Sequence, residues 1–179
     1  MNARTDLSAQ AINVLETEHR NIEVILETLE SLQKGKPDWG IYERAIALLE
    51  EYADKYHHAK EEDLLFPAMI EAGIPERNSP VSCMLEEHKL ARSLVAQMND
   101  HLSHMDAAAM REASGHYCTL LREHIAKEDN ILYPMALQVI APDGWRTLAT
   151  KFIEVEERLG GGEDFMRRAK ALRRRAHKG

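Results

Sequence analysis

An internal repeat constrains this chain more than any other feature. Residues 57–67 read HHAKEEDLLFP and residues 124–134 read HIAKEDNILYP. Six of the eleven positions are identical, and Glu62/Asp129, Asp63/Asn130, Leu64/Ile131 and Phe66/Tyr133 are conservative changes. An earlier pair matches as well: Leu15-Glu16-Thr17-Glu18-His19 against Leu85-Glu86-Glu87-His88. Offsets of 67 and 69 residues keep the halves nearly in register. The fold must therefore hold two similar units, each with a histidine on one segment and His-x-x-x-Glu on the next.

Periodicity makes those segments helices. Ile12, Leu15, His19, Ile22, Leu26 and Leu29 recur at spacings of three and four, predicting a first helix over about 7–34 that Asp6 or Ser8 could cap. Asp38 is a plausible N-cap for a second helix to about Ala72, stopped by Gly73-Ile74-Pro75. Ser79-Pro80 reads as N-cap and first helical position of a third, to about His104. Asp106 caps a fourth, to about Val139. Pro67 and Pro134 should each kink or end their helix. Helices of this length with short turns predict an all-α fold, an antiparallel up-down four-helix bundle with additional C-terminal helices. The expected organisation is residues 1–159 as the bundle with a short fifth helix from about Trp145. Residues 160–179 follow as a glycine joint (Gly160-Gly161-Gly162) and a basic helix or tail.

Composition removes several function classes. A net charge of −7 argues against general nucleic-acid binding. No apolar run approaches the roughly 18 residues of a membrane span. MNARTDLSAQ has no apolar signal region, so a cytoplasmic location is expected. Cys83 and Cys118 lack metal-type spacing and are expected to be two free buried thiols. The basic run Arg167–Lys178 is expected to be a solvated face or frayed end, with contact to an acidic partner as the alternative.

The chemistry sits in the repeat. Residues i and i+4 lie about 40° apart around an α-helix, so His57 and Glu61 share a face, as do His124 and Glu128. Aligning Pro67 with Pro134 selects His57/Glu61 over His58/Glu62 as the repeated pair. With His19 and His88, two related helix pairs would bring four imidazoles and two carboxylates together. That donor set suits iron, manganese or zinc. A ferritin-like site would use Glu-x-x-His and further glutamates, whereas this chain supplies one unpaired His and one His-x-x-x-Glu per half; the His-Glu-x-x-His of a zinc hydrolase is not present.

The order His, His-x-x-x-Glu, Glu-His, His-x-x-x-Glu, with its Leu-Phe-Pro and Leu-Tyr-Pro endings, resembles the hemerythrin-like (HHE cation-binding) family over about residues 10–140. The resemblance implies a four-helix bundle and two non-haem irons bridged by carboxylate and oxo or hydroxo groups. His19, His57, Glu61, His88, His124 and Glu128 would be the ligands. Oxygen-carrying members place a fifth histidine where this chain has Arg92, and an aspartate at i+5 where it has Glu128 at i+4. The set is more similar to the bacterial di-iron proteins implicated in nitrosative stress and iron–sulfur repair. Those often carry a Cys-bearing N-terminal domain, which is not read here.

The expected function is a di-iron protein that binds or reacts with O2, NO or peroxide in stress response or sensing. Alternatives are iron delivery without turnover, or an interaction module with a structural metal. Around the six, His58 reads as a flank or interhelical contact, with ligation as the alternative. Glu23 and Arg92 read as an ion pair or support near the site. Tyr56, Tyr117 and Tyr133 read as core packing, with a hydrogen bond or iron ligation by Tyr117 as the alternative. Glu18 and Glu87 could serve proton transfer or lie on the surface. His101, His104, His116 and His177 read as surface or capping residues.

Overall fold

Six helices account for nearly all of the computed structural model, which describes residues 3–159 and 161–177. Gly160 of the expected joint and Lys178 of the basic run lie outside the described residues. Helix α1 spans Ala3–Ser31, α2 residues 39–71, α3 Pro80–His104, α4 residues 107–139, α5 Pro142–Leu159 and α6 Gly162–Ala176. There is no strand among the described residues. Helices α1 to α4 form the bundle, α5 packs along α1, and α6 lies against α1 and α2.

Local chemistry sets most of the ends. Asp38 accepts a bond from the Ile41 amide at 3.0 Å, and Ser79 and Ser82 cap α3 reciprocally. Asp106 accepts from the Ala108 and Ala109 amides at 3.1 Å. Gly35 and Gly73 follow helix ends with φ of 80° and 107°, a backbone that a side chain would strain. The first helix starts earlier than expected, at Ala3, so it runs through Asp6 and Ser8, and neither is its cap.

The two prolines do not end their helices. Pro67 and Pro134 each follow a π-helical stretch, Glu61–Leu65 and Glu128–Leu132, and helix continues beyond both. Proline removes a backbone donor and crowds the carbonyl four residues back. A widened turn ahead of the ring relieves both problems and keeps the axis running. Helix α2 is π-helical over Leu49–His58 as well. Each widened stretch at the repeat begins on the glutamate of His-x-x-x-Glu.

The apolar interior is divided by a polar layer. One cluster contains Ile22, Tyr56, Ala91 and Ile125; the other contains Leu15, Leu65, Met84 and Leu132. Between them in each helix lie His19, His57 to Glu61, His88, and His124 to Glu128. Ala169 and Leu172 of α6 complete the first cluster, and Arg168 and Arg173 pair with Glu51 and Glu27, each at 2.7 Å. Those two arginines therefore meet acidic residues of α2 and α1 rather than projecting as a free face.

Candidate metal centre

All six residues singled out by the repeat converge in the polar layer, each 2% exposed or less. Their donor atoms form two groups: His19, His57, Glu61 and Glu128, and His58, Glu61, His88 and His124. Within each group the donor atoms lie within 4.8 Å of one another. Glu61 belongs to both. Glu128 also spans them, with Oε2 3.1 Å from His19 Nε2 and Oε1 3.2 Å from His124 Nε2. His88 Nε2 is 3.0 Å from His124 Nε2 and 3.6 Å from Glu61 Oε2. The core thus holds two adjoining groups of donor atoms that have Glu61 in common, with Glu128 in reach of histidines of both.

A surrounding set of carboxylates aims the imidazoles. His57 Nδ1 donates to Glu18 at 2.9 Å, and His124 Nδ1 donates to Glu87 at 2.9 Å. His19 Nδ1 donates to Asp129 at 2.6 Å, and His88 Nδ1 donates to Glu62 at 2.7 Å. Each carboxylate is backed by a cation: Lys60 on Glu18, Lys127 on Glu87, Arg20 on Asp129 and Arg92 on Glu62. With Nδ1 committed outward, each Nε2 is the nitrogen left facing inward, where it could ligate a metal once unprotonated. Glu18/Glu87, Lys60/Lys127 and Glu62/Asp129 are repeat equivalents, so the support is duplicated along with the ligands.

The electrostatics fit cations better than protons. Burial and the adjacent Glu128 push Glu61 well above the usual carboxylate range. Burial alone would raise Glu128, but His124 and His19 outweigh it and hold Glu128 well below that range. Burial opposes protonation of His124, yet Glu128 and Glu87 lift it to about 9. Burial, with His19 and His58 beside it, drives His57 well down. His57 Nε2, both nitrogens of His58, Glu61 Oε2 and Glu128 Oε1 are buried without hydrogen-bond partners. Each such group costs about 1–3 kcal/mol if nothing satisfies it. His57 Nε2, Glu61 Oε2 and Glu128 Oε1 belong to residues of the donor groups, where cations would satisfy them, so the residues present fit bound metal; His58 Nδ1 faces Asp54 instead.

Some site residues were not legible as such. His58, expected as a flank, is buried in the second donor group, its ring stacked on His88 at 3.8 Å. Tyr133, expected as packing, donates to Glu61 Oε1 at 2.7 Å and lies 3.2 Å from His19 Nε2. Tyr117 is buried in the core. Glu18 is buried rather than on the surface, and burial lifts it to about 7. Arg92 pairs with Asp54 and Glu62, whereas Glu23 pairs with Arg20, so the two do not pair with each other. Cys118 is buried as expected, but Cys83 is exposed, one turn from Glu87 on the outer side of α3. His101, His104, His116 and His177 lie outside both donor groups.

Comparison with known proteins agrees with the geometry. The family described as Hemerythrin HHE cation binding domain matches residues 10–136. The chain is 38% identical over 91 residues to the iron-sulfur cluster repair protein YtfE of Musicola paradisiaca (strain Ech703), covering 46% of this chain and 40% of that protein. It is 31% identical over 126 residues to the protein of the same name from Yersinia pseudotuberculosis, covering 64% of this chain and 56% of the relative. The chain thus spans about half the length of the relatives it matches. No helix of the described residues is long and apolar enough to cross a membrane. Repeat, bundle, donor layer and family match together place this chain in the hemerythrin HHE cation-binding domain family.

Proposed function

We propose that the chain is a non-haem di-iron protein, with His19, His57, Glu61, His88, His124 and Glu128 as ligands, that takes a small ligand (O2, NO or peroxide) in a cytoplasmic stress response. The single observation that carries this reading is the duplicated support. Four histidines have Nδ1 held by carboxylates while two buried glutamates lie between both donor groups. Bound there, a pair of irons would supply one-electron chemistry and coordination positions for the small ligand.

The protein supplies the rest. Glu61 and Glu128, on π-helical turns, reach into the layer, where they would help hold the irons. Glu18, Glu62, Glu87 and Asp129 fix the ring orientations. The two apolar clusters keep bulk water from the layer. The Tyr133 hydroxyl donates a hydrogen bond to Glu61 on the His19–His57 side. Relatives named for iron-sulfur cluster repair support placing the activity in such repair.

Anaerobic ferrous reconstitution of the full chain tests the reading. The expected result is uptake of an iron pair, oxo-bridge absorption in the near ultraviolet after oxidation, and loss of both in His124→Ala. Iron retained through repeated reaction with NO or peroxide supports ligand chemistry; iron released stoichiometrically to a chelator supports delivery instead. A folded chain with no iron uptake and no such bands would contradict both.

A further inference from the structure

A cleft outside the donor layer is built from side chains that the metal centre does not use. It has a volume of about 630 Å³ and runs between α1 and α6, with Tyr52 and Tyr56 of α2 at its inner end. That size falls among small-molecule sites, which span about 300–1,000 Å³. The family match ends at residue 136, whereas α5 and α6 begin at Pro142 and Gly162. One wall of the cleft therefore belongs to this chain's C-terminal helices and not to the matched domain.

Polar groups at the inner end lack partners. Asn21 is 6% exposed, and one end of its amide donates to the Tyr52 hydroxyl at 2.7 Å. The other end, Oδ1, is buried with no hydrogen-bond partner. Exchanging the amide's oxygen and nitrogen would leave one end unpaired all the same. A buried amide group is rarely left so in a folded protein. The Tyr56 hydroxyl also has no hydrogen-bond partner among the described residues. Both tyrosine hydroxyls face the start of α6, where a Cβ on Gly162 would lie 3.6 Å from each. Glycine leaves that space open.

Two cations at the outer end are unpaired as well. Lys170 and Arg174 follow two and three turns beyond Gly162, about 12 and 18 Å along the axis of α6. Neither has an ion-pair partner among the described residues. The other charges of the cleft are engaged. Glu18 and Glu156 both pair with Lys60, and Arg167 pairs with Asp164. Glu163 stands in the first turn of α6, where the helix dipole favours an acid. What remains is an amide and a hydroxyl at one end and two positive charges at the other.

We propose that this cleft binds a small organic anion whose uncharged end carries both a hydrogen-bond donor and an acceptor. The anionic group, a phosphate or a carboxylate, lies on Lys170 and Arg174. The uncharged end reaches Asn21 and the Tyr56 hydroxyl, in the space that Gly162 leaves. None of the six expected metal ligands lines the cleft, so the site does not depend on bound iron.

Titration calorimetry of the full-length chain with adenosine monophosphate and with N-acetylglutamate tests this, the first carrying a phosphate and the second carboxylates. At least one should bind, and the one that does identifies the source of the charge. Its separate ends (adenosine and inorganic phosphate, or acetamide and acetate) should each bind at least about tenfold more weakly. Replacing the two exposed cations together, Lys170→Ala with Arg174→Ala, should weaken binding at least about tenfold with the melting temperature unchanged. Asn21→Leu should weaken it as well, whereas Arg175→Ala, exposed on the same helix but outside the cleft, should not. Failure of both probes to bind below about 10 mM would overturn the site. So would binding that survives both the paired charge variant and Asn21→Leu.

Discussion

At the scale of single residues, the account depends on which way imidazoles point. The Nδ1 bonds to Glu18, Glu62, Glu87 and Asp129 set that direction, so removing one should cost metal affinity without removing a ligand. Glu87→Ala is expected to weaken iron binding about 10- to 100-fold, measured by chelator competition, with little change in helical content. Protonation gives a second test. Glu61 and His124 are both held above their usual ranges, His124 at about 9. His124 therefore binds a proton near neutrality that a cation must displace, and the upward shift of Glu61 acts in the same direction. Metal affinity should therefore climb as pH rises toward about 9, with proton release on binding that fades near that point. Titrations across that range, with a weakly buffered dye reporting protons, check the sign. The six converging residues were legible because duplication picked one His-x-x-x-Glu register in each half. His58 was not, because α-helical arithmetic sets it 100° from His57 and the winding of α2 is not α-helical there. The Tyr133 hydroxyl was hidden for another reason: an aromatic at an apolar helical position reads as packing, and only its neighbours reveal the bond.

At the scale of the element, Pro67 and Pro134 explain the widened turns Glu61–Leu65 and Glu128–Leu132, though not the stretch Leu49–His58. Restoring the missing donor with Pro67→Ala should let the turn from Glu61 relax toward α-helical winding. Alanine is also the better helix former, by about 3 kcal/mol in an ordinary helix interior. The expected outcome is a metal-free chain at least as stable as wild type that binds iron more weakly, because Glu61 turns away from its position between the two groups. Melting curves with and without metal separate the two effects. A variant with lower stability and unchanged metal binding would contradict this role for the proline. Helix boundaries were readable from Asp38, Ser79, Asp106 and the glycines. The continuation of α2 and α4 past their prolines was not, because the compensating turn depends on the packed bundle rather than on local sequence.

At the scale of the molecule, two apolar clusters enclose one polar layer, and α6 closes the first of them. The proposed C-terminal appendage, residues 160–179, adds Ala169 and Leu172 to that cluster and ion pairs at Glu27 and Glu51. Exposed pairs of this kind contribute about 0–1 kcal/mol, so burial dominates. Leu172→Ala should lower stability by about 2–5 kcal/mol, and truncation before Gly162 by more, while the donor layer keeps its composition. Chemical denaturation and iron stoichiometry of the truncated chain would check both parts; loss of iron uptake from a still-folded bundle would contradict the division. The bundle was visible in the spacing of apolar residues and short turns. The docking of α6 was not, since its basic face masks an apolar edge of few residues.

The proposed di-iron centre requires two cations close together, both within reach of Glu61 and Glu128 inside this bundle. X-ray absorption at the iron edge of the reconstituted chain measures that most directly. The account predicts nitrogen and oxygen neighbours together with a second iron within about 4 Å. A spectrum of the loaded protein with light neighbours alone and no iron scatterer at that distance would contradict it.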